Sequence, residues 1–194
     1  IGGSTNFTVE AWVFPQWSNF SQIFNVSVGS ASNIQLMYGS TNPGDIRLLV
    51  EADNGTDLLD ISTGSSLVPV GQWTHVAVSL SGTAGKIFIN GVVEASGTLS
   101  GTRTHTGTVA HIGAHKTAAS QDRYFKGKIS NLRYTVNEAV YTTAPGVAPV
   151  LPTTRTSQAA NGTNVKLLCC KSQVSAGATG VVGAALSVFG DTRA

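Results

Sequence analysis

Residues 71–97, GQWTHVAVSLSGTAGKIFINGVVEASG, carry the clearest alternation of apolar and polar positions in the chain. From Trp73 to Leu80, an extended strand points Thr74, Val76, Val78 and Leu80 one way and Trp73, His75, Ala77 and Ser79 the other. The first set marks a core face. A glycine-bearing loop from Ser81 to Gly85 leads into Lys86-Ile87-Phe88-Ile89, whose isoleucines extend the apolar layer. Asn90-Gly91 then offers the pair of positive-φ residues that a type I′ turn requires before Val92-Val93, so the stretch predicts two or three antiparallel strands.

The same period recurs along the chain. Phe7 to Val13 places Phe7, Val9, Ala11 and Val13 on one face and Thr8, Glu10 and Trp12 on the other, and Pro15 ends the strand. Further strands are predicted over Ser21–Val28, Asn33–Tyr38, Asp45–Ala52, Leu58–Ser62 and Val109–Gly113. The turns lie at Gly29–Ser32, Gly39–Gly44 and Asp53–Asp57, and residues 99–107 are polar and turn-rich. Tyr124–Tyr134 reads as a strand pair or a bent strand, with Gly127 marking a bulge or close backbone approach. Val136–Tyr141 is predicted to form one helical turn, and nothing longer reads as helix.

Beyond Ala144 the texture changes. Pro145, Pro149 and Pro152 predict an extended surface run, residues 153–164 are polar, and Val165–Cys170 is a compact apolar strand. Residues 172–194 are small and apolar in patches too sparse for a separate core. They are expected to dock on the main domain or on another chain.

Many short strands with Gly and Asn turns predict an all-β, two-sheet antiparallel sandwich. Composition agrees, since hydrophobic residues make up 41% and charged residues only 11% of the 194 positions. A chain of this length buries roughly 70% of its unfolded surface in one core. The net charge of +2 carries no basic cluster, so no nucleic-acid footprint is expected. No apolar run is long enough to predict membrane insertion by a helix. The first residue, Ile1, suggests a processed product or a fragment, and no signal peptide is visible. Cys169 and Cys170 are adjacent and on a strand face opposite ways, so two free, mostly buried thiols are expected rather than a bridge.

Four motifs narrow the fold. Phe-Thr-Val-Glu-Ala-Trp-Val at 7–13, Gly-Gln-Trp-Thr-His-Val-Ala-Val at 71–78, Ile-Phe-Ile-Asn-Gly at 87–91 and Phe-Lys-Gly-Lys-Ile-Ser-Asn-Leu-Arg at 125–133 resemble, in this order, the laminin-G-like domains of the concanavalin A-like lectin/glucanase superfamily. The resemblance covers about Phe7 to Tyr141 and implies a jelly roll. It divides the chain into a jelly roll at 1–143, a Pro-rich connection at 144–164, and a C-terminal strand and arm at 165–194. A narrower resemblance, carried by 136–141 and 145–168, is to the copies of this domain in structural proteins of tailed bacteriophages. It implies a non-enzymatic virion component on the exterior of capsid or tail, homo-oligomeric and partnered by other virion subunits. The alternative is an extracellular carbohydrate-binding module.

Chemistry is weighed against that background. Glucanases of the superfamily are similar to one another in a Glu-x-Asp-x-x-Glu strand whose carboxylates lie about 5–5.5 Å apart. Glu51-Ala52-Asp53 begins such a motif, but Asn54, Gly55 and Thr56 follow and no second glutamate arrives, so the pair reads as a strand end and no enzyme is predicted. His75, His105, His111 and His115 match no helical metal motif and no Gly-x-Ser-x-Gly elbow occurs. His75 is assigned a structural role beside Trp73. No cofactor is expected; calcium held by Asp53 and Asp57, with Asn54 between them and Asp122 on a rim loop, is the alternative to plain turn-making. Glycan contact is predicted at Trp17, Tyr38, Arg47, Asp53 and Asn54, from a pool that includes Trp12, Trp73 and Phe88, with Trp17 the most exposed. Assembly contact is predicted at Val165, Leu167, Leu168, Leu186 and Phe189. The sequons at Asn6, Asn19, Asn25, Asn54 and Asn161 are read as chance in an Asn/Ser/Thr-rich chain.

Overall fold

A computed structural model describes residues 6–29, 31–104, 106–116, 121–142 and 164–170. The strands are β1 (Phe7–Pro15), β2 (Ser21–Val28), β3 (Ala31–Tyr38), β4 (Ile46–Glu51), β5 (Asp57–Ser62), β6 (Thr74–Ser81) and β7 (Ala84–Ile89). They continue with β8 (Val92–Thr98), β9 (Val109–Ile112), β10 (His115–Lys116), β11 (Gln121–Asp122), β12 (Gly127–Val136) and β13 (Val165–Cys169). No helix occurs among the described residues. A six-stranded antiparallel sheet, ordered β13-β12-β1-β6-β7-β8, packs on a five-stranded one, ordered β5-β4-β3-β2-β9, and β10 and β11 form a small separate hairpin.

The predicted alternation builds the interior. Phe7, Val9, Ala11 and Val13 of β1 line up with Val76, Val78 and Leu80 of β6 and with Leu132, Tyr134 and Val136 of β12. Against them stand Phe24, Val26, Ile34, Leu36, Ile46, Leu48 and Val50 of the other sheet. The Tyr134 ring bridges the layers, its centroid 6.5 Å from Phe7 and 5.3 Å from Phe24. Each such side chain contributes on the order of 1.5–3 kcal/mol by leaving water. The hairpin at Asn90-Gly91 also forms as its residues demand, with φ of 49° and 86°.

Several expectations are corrected. The loop after β6 is tighter than predicted, because Ser81 pairs with Ala84 across a turn at Gly82. The strand of the fourth motif begins at Gly127; Tyr124 makes only an isolated parallel bridge to Gln22. Residues 137–142 form no helical turn. Asn137 takes a positive φ of 65°, and the segment then crosses the outer face of the six-stranded sheet, where the Val140 N–H donates to Thr8 Oγ1 at 2.8 Å. A helix there would satisfy its own backbone; the strap instead supplies partners to polar groups on β1 and β7.

The C-terminal strand is part of this domain. β13 pairs antiparallel with β12, Tyr134 opposite Leu167 and Arg133 opposite Leu168, so Val165, Leu167 and Leu168 are buried within the chain rather than offered for assembly. A ladder edge and an apolar face left by β12 are what these residues satisfy. Cys169 and Cys170 are both free, but their sulfurs do not face apart. Cys170 leaves the strand at a φ of 59°, which turns its sulfur back to 3.6 Å from that of Cys169. The Pro-rich run, Leu186, Phe189 and the rest of 172–194 lie outside the described residues.

Candidate functional site

The outer face of the six-stranded sheet is organised in rows, because β12, β1 and β6 are in register. Lys128 is opposite Phe14, whose ring packs on Trp73 just ahead of β6; Ser130, Trp12 and His75 form the next row; Arg133, Glu10 and Ala77 the third; and Thr135, Thr8 and Ser79 the last. The last two rows, with His75, are buried, which the sequence pattern alone does not predict for the non-core face. His75 Nε2 lies 3.0 Å from Glu10 Oε2, Arg133 pairs with the other carboxylate oxygen, and Tyr141 of the strap donates its hydroxyl to Oε2 at 2.5 Å. Since a carboxylate only accepts, the His75 proton sits on Nε2. Burial pushes the Glu10 carboxyl up, but hydrogen bonding by His75 and the positive charge of Arg133 outweigh it and hold the group below its ordinary range. Burial, followed by the Glu10 charge, pushes the Tyr141 phenol well up.

This network fastens the fold, with Glu10, His75 and Arg133 buried beneath the strap. His75 is structural, as the sequence suggested, but its neighbour is Trp12, at 5.4 Å between rings, and not Trp73, which sits one row away on Phe14 at 5.6 Å. Phe88 is likewise buried, against Tyr141.

The open polar–aromatic surface lies at the other end of the sheet. The β1–β2 loop runs beside the segment leading into β12, tied by Gln16 N–H to the Lys126 carbonyl at 2.8 Å and Gln22 N–H to the Arg123 carbonyl at 2.7 Å. Gly127 permits the approach, because a Cβ there would overlap the Phe14 carbonyl oxygen. Gly39 does the same beneath the loop, where a Cβ would meet the Ser18 oxygen at 2.7 Å. The result is a depression of about 200 Å³ lined by Trp17, Asn19, Phe20, Ser21, Tyr124 and Lys126. Trp17, Phe20 and Tyr124 are 53%, 40% and 56% exposed, against the near-zero values of the core aromatics. Lys126 Nζ lies 5.0 Å from the Trp17 ring centroid, and the Arg123 guanidinium carbon 4.7 Å from that of Phe20. Enclosed ligand pockets typically reach about 300–1,000 Å³, so this is a shallow stacking platform.

Of the residues singled out for glycan contact, Trp17 alone falls in this depression. Tyr38 is fully buried and donates its hydroxyl to the Val68 carbonyl at 3.2 Å, so it presents no face to a ligand. Its place in the alternation of β3 puts it in the core. Arg47 lies on the five-stranded sheet and makes a two-pronged ion pair with Asp60, at 2.7 and 2.6 Å. Asp53 holds the 99–107 loop, accepting from Asn33 Nδ2 at 2.8 Å and from Thr106 Oγ1 at 2.9 Å, and Asn54 accepts from the Thr56 N–H within its own turn. Phe20, Tyr124 and Lys126 carry no local signal of a site in the sequence; the pattern over Tyr124–Tyr134 places Tyr124 and Lys126 in a strand, whereas β12 begins at Gly127.

The calcium alternative places Asp53 and Asp57 together, yet no group of three or more His, Cys, Asp or Glu side chains converges among the described residues. Glu51 is committed too, its Oε2 accepting the Ser32 N–H at 2.9 Å, with burial pushing its carboxyl up.

A second polar cluster lies over the five-stranded sheet. Ser32 Oγ is 3.1 Å from His115 Nε2, and His115 Nδ1 is 2.9 Å from Asp122 Oδ1. These are the distances of a nucleophile, base and orienting acid. Ser32, however, is only 2% exposed and its own N–H is taken by Glu51, so neither attack nor an oxyanion is served. The chain of bonds latches the β10–β11 hairpin to β3. Together with Asn25 Nδ2, which donates to the Lys116 carbonyl at 3.0 Å, and Arg123, which reaches Gln35 at 3.3 Å, it closes the polar side of that sheet.

Comparison with known proteins fits the architecture. A family profile described as the concanavalin A-like lectin/glucanases superfamily matches residues 1–136. No curated protein sequence matches the chain. Among solved structures, the carbohydrate-binding module CBM40 of the Ruminococcus gnavus IT-sialidase, bound to α2,3-sialyllactose, superposes at a TM-score of 0.60 with 16% identity, over 72% of this chain and 79% of that one. The heptameric SAP-like pentraxin of Limulus polyphemus gives 0.55 and 21%, over 71% of this chain and 66% of its own, just under two thirds. Domain 4 of AbnA, a GH43 extracellular arabinanase from Geobacillus stearothermophilus in complex with arabinotriose, gives 0.52 and 25%, over 69% and 62%.

Proposed function

Since the chain belongs to the laminin-G-like family of the concanavalin A-like lectin/glucanases superfamily, we propose that it is a non-catalytic carbohydrate-binding domain whose sugar site is the platform of Trp17, Phe20 and Tyr124. One observation carries the reading: three exposed aromatics converge on one depression edged by Asn19 and Lys126, while the other large aromatics of the sheets are mostly buried or packed. Aromatic faces stack on the apolar faces of sugars, and Asn and Lys supply the hydrogen bonds that orient them. The relatives bound to sialyllactose and arabinotriose support sugar binding as the use of this fold. Non-catalysis is supported by the commitment of Glu51 and Asp53 to Ser32, Asn33 and Thr106.

The finer part of the proposal, display on the exterior of a tailed-phage virion for attachment or assembly, rests on the sequence resemblance of 136–141 and 145–168. Cryo-electron microscopy of purified particles locates the domain, and its absence from the particle rejects that part.

The binding site itself is tested on a glycan array. Wild type is expected to retain sugars that Trp17→Ala releases at unchanged melting temperature, with affinity lower by roughly 30-fold or more, as for truncation of an aromatic anchor. Equal binding by the variant rejects the site.

A further inference from the structure

The platform does not end at Lys126. Two residues along, at the start of the pairing between β12 and β1, Lys128 is exposed with its Nζ 5.8 Å from the centroid of Phe14, and Phe14 in turn packs on Trp73. Trp73 is 46% exposed although it sits on a sheet face, because the strap that closes the later rows does not cover this one. Contact therefore runs from Trp17 to Lys126, and then from Lys128 across Phe14 to Trp73. Two residues of extended chain reach at most roughly 6.5–7 Å, so the two lysines are near neighbours.

Charge decides what such a surface takes. Arg123 is partly answered by Asp122, whose Oδ1 lies 3.7 Å from its Nε. Among the described residues, neither Lys126 nor Lys128 has a carboxylate partner, and the one carboxylate on the rows beyond, Glu10, is sealed under Tyr141 and spent on Arg133 and His75. Two unanswered ammonium groups beside aromatic faces leave an uncompensated positive stripe. A neutral glycan accepts hydrogen bonds from these groups but leaves their charge unanswered.

We propose that this stripe extends the sugar platform into a track for an extended polyanionic polysaccharide, its carboxylate or sulfate groups facing Lys126 and Lys128 and its rings stacking on Trp17 and Trp73. The inference rests on the sugar-binding reading of the platform and adds the charge class and length of the ligand. A single-stranded nucleic acid also uses aromatic and basic surfaces, but its backbone is tracked by a denser line of cations than two lysines in a chain of net charge +2.

The test is calorimetric titration at low and physiological salt with oligogalacturonate, a heparin-derived octasaccharide, a neutral galactan octasaccharide and an oligothymidylate, using di- and octasaccharide lengths of the first. Wild type is expected to bind at least one of the charged octasaccharides about tenfold or more tighter than the neutral one, with the advantage shrinking in salt. The two charged probes separate carboxylate from sulfate. Lys128→Gln, which leaves the Phe14–Trp73 packing in place, is expected to remove most of that advantage, and Trp73→Ala to remove the gain of octamer over dimer while dimer binding at Trp17 persists. Equal affinity for neutral and charged octasaccharides, an unchanged advantage in Lys128→Gln, or tighter binding of oligothymidylate than of any sugar overturns the proposal. Should Trp17→Ala leave disaccharide binding intact while Lys128→Gln abolishes octamer selectivity, the platform reading fails and, with it, the track's Trp17 end, whereas the preference for charged ligands at Lys128 is upheld.

Discussion

His75 and Glu10, 65 positions apart in the chain, meet at 3.0 Å between Nε2 and Oε2 with both side chains buried. They are cross-strand diagonal neighbours on β6 and β1, and Arg133 of β12 and Tyr141 of the strap complete the contact. Four segments are thereby fastened at one carboxylate.

Glu10→Gln keeps the shape but removes the charge, leaving Arg133 buried without its counter-ion. Loss of one partner of a buried pair costs about 3–5 kcal/mol, a sizeable fraction of a domain's stability. The Glu10 carboxyl is held below its ordinary range, so the folded state binds this proton less readily than the unfolded chain. The stabilisation is thus fully present above the ordinary carboxylate pKa of 4.5 and is lost as pH falls through the folded value. Thermal unfolding of wild type and Glu10→Gln is expected to show the widest gap at neutral pH and a narrowing gap below pH 4.5. A gap independent of pH contradicts the assignment.

Gly127→Ala is expected to destabilise by about 1–3 kcal/mol, because its methyl overlaps the Phe14 carbonyl and forces β1 and β12 apart. The same movement loosens Lys126 from the β1–β2 loop, so sugar binding falls with it. Gly64→Ala is the control, with nothing within 4 Å of the added Cβ and no positive φ. Denaturant melts of the two variants, compared at equal m-value, check the difference.

His115→Ala breaks both bonds of the Ser32–His115–Asp122 latch, whereas Ser32→Ala breaks one. Each lost bond is worth about 0.5–1.5 kcal/mol. Amide hydrogen exchange is expected to accelerate at Lys116 and Asp122 in both variants, more so in His115→Ala, with the β1–β6 amides unchanged. Measurable esterase activity in wild type that vanishes in both variants is the result that contradicts a purely structural latch.

Much of this molecule is legible along the chain. Alternation at Phe7–Val13 and Trp73–Leu80 fixes which face of each strand is apolar, and Asn90-Gly91 fixes a hairpin, because period-2 burial and positive φ are local properties of the backbone. The four motifs carried the family for the same reason, since each is a strand or turn signature. The exposure of Trp17 is legible because a tryptophan just past a strand-ending proline has no strand face to occupy. Arg47, Asp53 and Asn54 were polar or charged residues at turns and strand ends, and nothing local distinguishes a side chain waiting for a ligand from one answering Asp60, Thr106 or Thr56.

What only the tertiary structure decided is which distant residues share a surface. Polar residues on the outer face of β1 and β6 read as solvated until the strap at 137–142 lies across them, and Val165–Leu168 reads as an assembly strand until β12 offers it an edge. Phe20 shares the β1–β2 loop with Trp17, but Tyr124 is distant from both in sequence; it joins them because β12 pairs with β1 and brings its leading segment alongside that loop. The sequence by itself determined the strands, their inner faces and the lectin-like sandwich, since these follow from local periodicity. The clustering of Trp17 with Tyr124, the buried carboxylate and the placement of Lys126 and Lys128 beside β1 follow from strand order, above all from the pairing of β1 with β12, segments more than a hundred residues apart.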